Sequence, residues 1–493
     1  MKLDFGKWYA DLPEYQNPGA LLVKNCMPLA TSYRSIQALE AFSAALDDIA
    51  LGWFWIKAKN GSIWNFAGDQ SKLYLFDGTA TYDDVSKAAT TYAATQWDFV
   101  AFQERVLATD GGASPIQKFD VGTPSLTFDT LAGSPPLCKC LGVVRDFVLA
   151  GNYELGSEIE PGGYAWSGFN NTELWTPSMT TQSGRQRGRG QGGALQRIVS
   201  GSEGVLLREF AVQSISYIGP PQIWRTDDIA VNHGTPAGQS ACWTAKKVFY
   251  FSTEGFKELD RASRSIKDIG NTKVDEFFLG LAAPADLRNI RGTIDRRNNV
   301  VWWAFRSSQS SPAYNRVLLY YWPGEQWAIV EMDSELIMEF VSPGYTLDTI
   351  GAVLGGTIDS ASILVDDPTY LGGGITLAGF DAAHQAATFS GTSLIAEIDT
   401  TEWSSEEAHK RSLVNGVRPL IEGSPSTVVE VAPITRDQID ENPALGAYHP
   451  KNTATGICDM RTNARFQRYR VKIAGGFKHA RGVTLREKGR GRQ

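Results

Sequence analysis

The sequence predicts an all-β fold, a β-propeller of about six to eight blades with an irregular N-terminal arm and a β-rich C-terminal region. Composition is the first reason: 49 of the 493 residues are Gly, with 14 Trp, 17 Tyr and 23 Phe, as in chains of short strands and tight turns. Periodicity is the second. Strand-like segments recur about every 50 residues, within the ~40–50 residues of a four-stranded blade. An array of independent sandwiches is the alternative, but no linker interrupts residues 53–351.

The first predicted segment, residues 1–50, is an N-terminal arm that ends in a short helix. Turn-forming residues follow one another through residues 11–19, which predicts an extended and irregular chain. The apolar residues that then recur at the spacing of one helix face are Ile36, Leu39, Phe42, Leu46 and Ile49. The sequence therefore predicts a helix within residues 35–50.

Residues 51–350 carry the period-two pattern and are assigned to the propeller. Asn60-Gly61 separates apolar runs at 54–56 and 63–66, which predicts a hairpin with a type I′ turn. Further strands are predicted at 73–76, 98–101, 106–109, 300–305 and 318–322. Landmark strands lie at 53, 97, 143, 195, 243, 300 and 351.

The third predicted segment, residues 351–493, is a β-rich C-terminal region that can include the last blades. Strands are expected at 394–398, 428–431 and 469–473. Residues 355–391 are rich in Gly, Asp, Ala and Thr and receive no assignment.

Charge is divided unevenly along the chain. The formal net charge is −7, but from Arg461 onward eleven Lys or Arg oppose the single acid Glu487, so this stretch carries +10 and the preceding residues −17. An acidic body with a basic end predicts repulsion of nucleic acid over most of the surface and contact with something acidic at one place. A solvated basic tail is the alternative.

Motifs for catalysis, metal binding and cofactor binding do not occur in the sequence. The five His are far apart, and there is no HExxH, GxSxG or P-loop, so no enzyme activity, metal or cofactor is expected. Five scattered Cys predict no disulfide framework. Neither a signal peptide nor an apolar run of about 18 residues is present, so we expect a soluble chain made in a reducing cytoplasm, without membrane contact.

Two basic features remain as candidate sites. Arg185, Arg187 and Arg189 alternate with small and polar residues in the Gly-rich segment 184–193, which suits non-specific phosphate contact and predicts a DNA-channel lining. Residues 188–193 also match GxGxxG, a match expected to arise by chance because the strand–turn–helix context is missing. For each arginine the alternative is a solvated loop.

The second basic feature is the alternation of charged and apolar residues near the C-terminus. Arg468, Arg470 and Lys472 alternate with apolar neighbours, as on a strand with one buried and one charged face. These three residues are the candidates for contact with another subunit, whose acidic groups would pair with them.

Ordered motifs along most of the chain resemble those of β-propeller virion proteins of tailed phages and prophages, the nozzle or hub proteins of short tails, also known as packaged-DNA stabilisation proteins. The first motifs are LPEY at 12–15, IWNFAG at 63–68, YDDVS at 82–86, WDFVAF at 97–102 and VLATDG at 106–111. The later ones are VVRDFV at 143–148, WSG at 166–168, GPP at 219–221, FYFSTEGF at 249–256 and RYRV at 468–471.

This resemblance implies a structural protein of the virion tail, synthesised in the bacterial host cytoplasm. It implies a ring, commonly a homohexamer, that sits below the portal and its adaptor ring, meets tail fibre or spike proteins, and conducts double-stranded DNA through its lumen without sequence specificity. Such a ring helps to retain the packaged genome and releases it at ejection. Two alternatives remain: a propeller-fold enzyme acting on glycans, and a cytoplasmic propeller scaffold that binds proteins.

Overall fold

A computed structural model of the chain describes residues 1–15, 17–123, 126–307, 313–342, 373–404 and 411–487. Seven four-stranded antiparallel meanders dominate it, and these are the blades of a β-propeller. The predicted fold class is therefore confirmed. In the described part of the chain the helices are one α-helix, Asp275–Leu281, and two 3₁₀ helices, Gly238–Ser240 and Pro284–Asn289.

Each of the seven blades consists of four strands, and the first strands of most neighbouring blades contact one another around the centre. Blade 1 consists of Gly52–Lys57, Ile63–Gly68, Leu73–Phe76 and Tyr82–Asp84, and blade 2 consists of Asp98–Phe102, Arg105–Thr109, Gln117–Asp120 and Asp129–Thr130. Blade 3 consists of Leu137–Val144, Phe147–Leu155, Glu158–Trp166 and Gly184–Gln186. Blade 4 consists of Leu195–Val199, Gly204–Arg208, Ala211–Tyr217 and Trp224–Val231.

The remaining three blades follow the same plan, except that the last one takes its outer strand from the N-terminal arm. Blade 5 consists of Cys242–Trp243, Lys247–Ser252, Gly255–Asp260 and Ser265–Asp268. Blade 6 consists of Arg291–Asp295, Val300–Phe305, Tyr314–Tyr321 and Gln326–Ser334. Blade 7 consists of Leu336–Val341, Ile375–Phe380, Gln385–Thr388 and Glu40–Ala45.

The helix predicted within residues 35–50 is wrong: this segment contains the strand Glu40–Ala45, which pairs antiparallel with Gln385–Thr388. Phe42 packs on Phe76 of blade 1 and Phe340 of blade 7. The free edge of blade 7 offers a ladder of hydrogen bonds from residues more than 300 positions away. That pairing overrides a weak local helix signal, and it closes the ring of blades.

The hairpin predicted at Asn60-Gly61 forms between Gly52–Lys57 and Ile63–Gly68, but its turn is not of type I′. Only Gly61 has a positive φ, +89°, whereas a type I′ turn needs two such residues. Ala58 accepts a hydrogen bond from the Gly61 N–H and donates one to the Ser62 carbonyl, so the loop is longer than two residues.

Beside the propeller lies a second β unit, the C-terminal unit, formed by residues 1–35 of the arm and 393–487. One of its sheets continues blade 6: Leu22–Lys24 pairs in parallel with Gln326–Ser334 and antiparallel with Ala396–Asp399. The further strands of this sheet are Trp403–Ser404, Val428–Arg436, Ala444–Leu445, His449–Pro450 and Phe466–Ala474. The strands of its second sheet are Lys2–Asp4, Cys26–Pro28, Tyr33–Ser35, Ser412–Gly423, Thr462–Ala464 and Phe477–Glu487.

These units differ from the predicted segments in their boundaries. The propeller extends beyond residue 350, because blade 7 continues to Thr388. The arm belongs to both units instead of forming one of its own. The predicted landmark at 351 and the basic residues Lys488, Arg490 and Arg492 lie outside the described residues.

The apolar core is continuous from the propeller into the C-terminal unit. One cluster of buried side chains includes Phe256 of blade 5, Trp303 and Trp327 of blade 6, and Tyr469 of the C-terminal unit. Smaller clusters lie between the other neighbouring blades. Blade 6 therefore anchors the second unit through both backbone pairing and shared burial.

Candidate functional site

The predicted channel arginines lie where blade 3 passes to blade 4, and all three are exposed. Arg185 is on Gly184–Gln186, the outermost strand of blade 3, and Arg187 and Arg189 are in the connection that follows. Two of them have acidic partners within the chain. Arg185 Nε lies 3.2 Å from Glu158 Oε2, and Arg187 Nε lies 3.2 Å from both Glu158 Oε1 and Glu160 Oε1.

A buried arginine holds the glycine-rich connection in place. Arg208, only 4% exposed, is the last residue of the strand Gly204–Arg208 in blade 4. Its Nη1 donates to the Arg189 carbonyl at 2.5 Å, and its Nε and Nη2 donate to the Gly193 carbonyl at 3.2 and 2.9 Å. Burial lowers the pKa of Arg208 from its ordinary value. The connection is thus wrapped around a guanidinium group.

Close approach of neighbouring atoms explains two glycines of this segment, Gly188 and Gly192. A Cβ on Gly192 would lie 2.7 Å from the guanidinium carbon of Arg208, and one on Gly162 would lie 2.6 Å from its Nη2. A Cβ on Gly188 would lie 2.7 Å from the carbonyl carbon of Gly162. The chain then continues into the strand Leu195–Val199, whereas a dinucleotide loop leads into a helix. The GxGxxG match is therefore structural.

The predicted subunit-contact residues share one strand, Phe466–Ala474, and each pairs with an acid of the same chain. Arg470 binds Asp399 with both branches, Nε to Oδ1 at 2.7 Å and Nη2 to Oδ2 at 2.8 Å. Arg468 Nη1 lies 2.7 Å from Glu14 Oε1, and Lys472 Nζ lies 3.6 Å from Glu430 Oε2. The acidic partner expected on another subunit is therefore present within the chain, and subunit contact by these residues stays a prediction.

The centre of the propeller contains a cavity of about 400 Å³ that the sequence patterns did not predict. Its wall combines residues from the first strands of six blades, so its members have no common spacing in the sequence. The aromatic residues of the lining are Trp53, Phe54, Trp55, Trp97, Phe99 and Trp243. An aromatic run at the start of several blades is the one sequence signal that points to them.

Two ion pairs occupy the wall of this central cavity. Arg197 Nη1 lies 2.7 Å from Asp98 Oδ1, and the Arg197 guanidinium lies 5.5 Å from the ring centre of Trp243. Arg296 Nε donates to Glu339 Oε1 at 2.8 Å. Burial raises the pKa of both carboxyl groups, and the neighbouring arginines oppose that shift.

A third arginine of the wall has a different partner. Arg291 Nη1 donates to the Leu51 carbonyl at 2.9 Å, and no ion pair of Arg291 occurs among the described residues. Because Arg197 and Arg296 are each matched by one acid, Arg291 leaves the cavity with one excess positive charge.

A larger cavity, of about 640 Å³, lies between blades 6 and 7 and the C-terminal unit. Arg34 lines it and donates from Nη2 to Asn298 Oδ1 at 2.7 Å, and burial lowers the pKa of this arginine. Trp302 and Phe389 line it with ring centres 5.1 Å apart.

Candidate metal-binding groups and accessible cysteines are both absent from the described part of the chain. There, no group of three or more His, Cys, Asp and Glu side chains is placed to hold a metal ion. The five Cys are free and buried, and burial raises the pKa of each thiol. Within the described residues, no helix has the length and hydropathy needed to cross a membrane.

Comparison with known proteins gives structural similarity at low sequence identity. No family model matches the chain, and no curated protein matches it. The extracellular domain of the putative one component system BT4673 from B. thetaiotaomicron is similar, with TM-score 0.42 and 9% identity over 80% of this chain and 44% of that one. A structure of YCF48 bound to D1 peptide has TM-score 0.35 and 11% identity, over 60% of this chain and 87% of that one. The chain thus covers less than half of the first of these structures.

Proposed function

We propose that this protein is a structural component of a phage tail. In this proposal it forms a nozzle or hub ring, commonly of six subunits, that extends the DNA channel below the portal and adaptor. The ring retains the packaged genome and conducts it at ejection. One observation carries the proposal beyond the sequence resemblance: blade 6 and the C-terminal unit share one sheet and one cluster of buried side chains.

The arm of the chain makes this body rigid, which suits a ring subunit. Leu22–Lys24 lies between blade 6 and Ala396–Asp399, and Glu40–Ala45 completes blade 7. Any hinge between the two units would break these pairings. Subunits that meet through unlike surfaces close into a ring only when their geometry is fixed, because a small change of angle yields an open filament.

The arginines at 185, 187 and 189 support a weak and non-specific contact with DNA. Arg208 fixes the backbone at Arg189, and Arg185 lies on a strand that pairs with Glu158–Trp166. Glu158 and Glu160 already neutralise part of their charge. Phosphates would compete with these carboxylates, and each phosphate neutralised adds only about −0.9 to the log–log salt slope. A lining of this kind holds DNA weakly enough for it to slide.

Location in the particle is the first test. Antibody labelling and electron microscopy of purified particles should place several copies of the chain around the tail axis. A particle that lacks the chain, or has one copy per tail, would exclude the ring.

The arginines are tested by replacing all three with Gln in the phage that encodes the chain. We expect intact tails and an altered rate of genome loss or ejection, since the phosphate contacts are removed together with the exposed ion pairs to Glu158 and Glu160. The matched control replaces Lys59, Arg264 and Arg411 with Gln; these basic residues are also exposed and paired with acids, but they lie outside the segment 184–193. Equal retention and ejection in both triple variants would exclude a channel role for the segment.

A further inference from the structure

The central cavity of the propeller has the size and construction of a small-molecule site. Its volume of about 400 Å³ falls within the ~300–1,000 Å³ of typical ligand pockets. Its wall is made of inner strands that are hydrogen-bonded within their own blades. Such a wall keeps its shape without a ligand, so little ordering opposes binding.

The charges of the wall favour one negative group. Three arginines and two acids line the cavity. The charges cancel within each of the ion pairs Arg197–Asp98 and Arg296–Glu339. Arg291 has a backbone carbonyl as its hydrogen-bond acceptor. The Nε atom of Arg197 is buried and has no hydrogen-bond partner among the described residues. A ligand acceptor at this place would satisfy the Nε atom of Arg197, and Arg291 lines the same cavity.

The aromatic side chains define the rest of the ligand. Trp53, Phe54, Trp55 and Trp243 are half-buried, so part of each side chain remains accessible beside the arginines. Aromatic faces pack well against flat or cyclic groups. A ligand with one anionic group on a ring would therefore match both parts of the wall.

We propose that this cavity binds a small ring compound that carries a single carboxylate, with Arg291 and Arg197 as the residues that bind the carboxylate. The planar guanidinium group matches the two oxygens of a carboxylate. A monoanion cancels the one excess positive charge. A phosphate dianion would leave a net negative charge in a partly desolvated site, which is unfavourable.

Calorimetric titration of the full chain with benzoate and with glucuronate tests the proposal, with benzamide and glucose as the neutral counterparts. We expect one or both carboxylates to bind in a 1:1 ratio and the neutral compounds to bind at least about tenfold more weakly. Binding of benzoate alone assigns an aromatic ligand, and binding of glucuronate alone assigns a sugar acid. No binding of either carboxylate, or equal binding of the neutral compounds, overturns the proposal.

Variants identify the carboxylate-binding residue. Arg291→Gln should weaken binding of the carboxylate about tenfold or more. Arg264→Gln, an exposed arginine of blade 5 outside the cavity, should leave it unchanged. Far-UV circular dichroism confirms that each variant is folded, and Arg291→Lys provides a second variant that keeps the charge but loses the fork. Unchanged affinity in folded Arg291→Gln would contradict the assignment.

Discussion

The outer strands of blades 4 and 6 occupy equivalent places and have opposite surroundings. In blade 6, Gln326–Ser334 is buried along its first five residues, because Leu22–Lys24 continues the sheet. In blade 4, Trp224–Val231 is buried only at Trp224. Arg225, Asp227 and Asp228 make the blade 4 edge charged, a common protection against unwanted strand pairing.

The difference shows that one blade plan serves two purposes. A charged outer strand ends the sheet at solvent, whereas the apolar run from Trp327 to Val330 requires a cover on both faces. The composition of the fourth strand thus decides whether a blade is an edge or a junction between units.

The largest expected effect comes from the junction itself. Trp327→Ala should lower the free energy of unfolding by about 4 kcal/mol, because a fully buried indole leaves a large cavity. Ile229→Ala, on the half-buried outer strand of blade 4, should cost only about 1 kcal/mol. Denaturant titration measures both, and equal losses would contradict the proposed contrast between the two blades.

The second prediction concerns the ion pair beside the junction. Arg470→Met should cost about 3 kcal/mol, because Asp399 is 2% exposed and would lose both hydrogen bonds from its partner. The double variant Arg470→Met with Asp399→Leu should recover much of this loss. Arg225→Met, whose partner Asp227 is at the blade 4 edge, is the control and should change stability by less than about 0.5 kcal/mol.

The third prediction concerns blade 4, where the charged side chain of Arg208 is buried. Arg208→Met should cost about 2 kcal/mol, because the Arg189 and Gly193 carbonyls lose their donors. The connection should also become a better trypsin substrate at Arg187 and Arg189. Arg187→Gln, an exposed residue, is the control for stability. Unchanged stability and hydrogen exchange in Arg208→Met would show that the connection does not depend on this arginine.

The fourth prediction concerns the pH dependence of stability that Asp275 causes near blades 5 and 6. Asp275, at the start of the helix Asp275–Leu281, contacts the core that blades 5 and 6 share, and burial raises its pKa to about 7. The folded state therefore holds a proton that the unfolded state releases near pH 4, so stability falls as pH rises from about 4 to about 7 and levels off above that.

Asp275→Asn should remove this component and be more stable than the wild type at pH 8, with little difference at pH 4. Its amide oxygen can still accept from the Phe256 N–H, which now donates to Oδ1 at 3.2 Å. Thermal unfolding at several pH values measures the effect. A constant difference between the two proteins from pH 4 to pH 8 would contradict the raised pKa.

Individual residues show how far prediction from the sequence extended to the candidate sites. The exposure of Arg185, Arg187 and Arg189 was predictable, because Gly and Gln neighbours offer no apolar cover. The acidic partners of these arginines were not predictable. Glu158 and Glu160 are on the preceding strand of blade 3, and nothing in the local sequence pattern relates them to the arginines. The six aromatic residues of the central cavity were individually visible as strand residues, but only closure of the ring brings them together.

The sequence by itself determined the blades, because alternation and turn residues act over a few positions: Leu73–Phe76 and Val300–Phe305 have the predicted bounds. The tertiary structure alone decided that Glu40–Ala45 is a strand, that Leu22–Lys24 joins two units, and that Arg208 holds a glycine-rich segment. These pairings join residues far apart in the chain or satisfy polar groups that only burial makes costly. The free energy that these pairings contribute depends on which strand edges remain unpaired once the blades have formed. Local periodicity in the sequence does not indicate which edges those are.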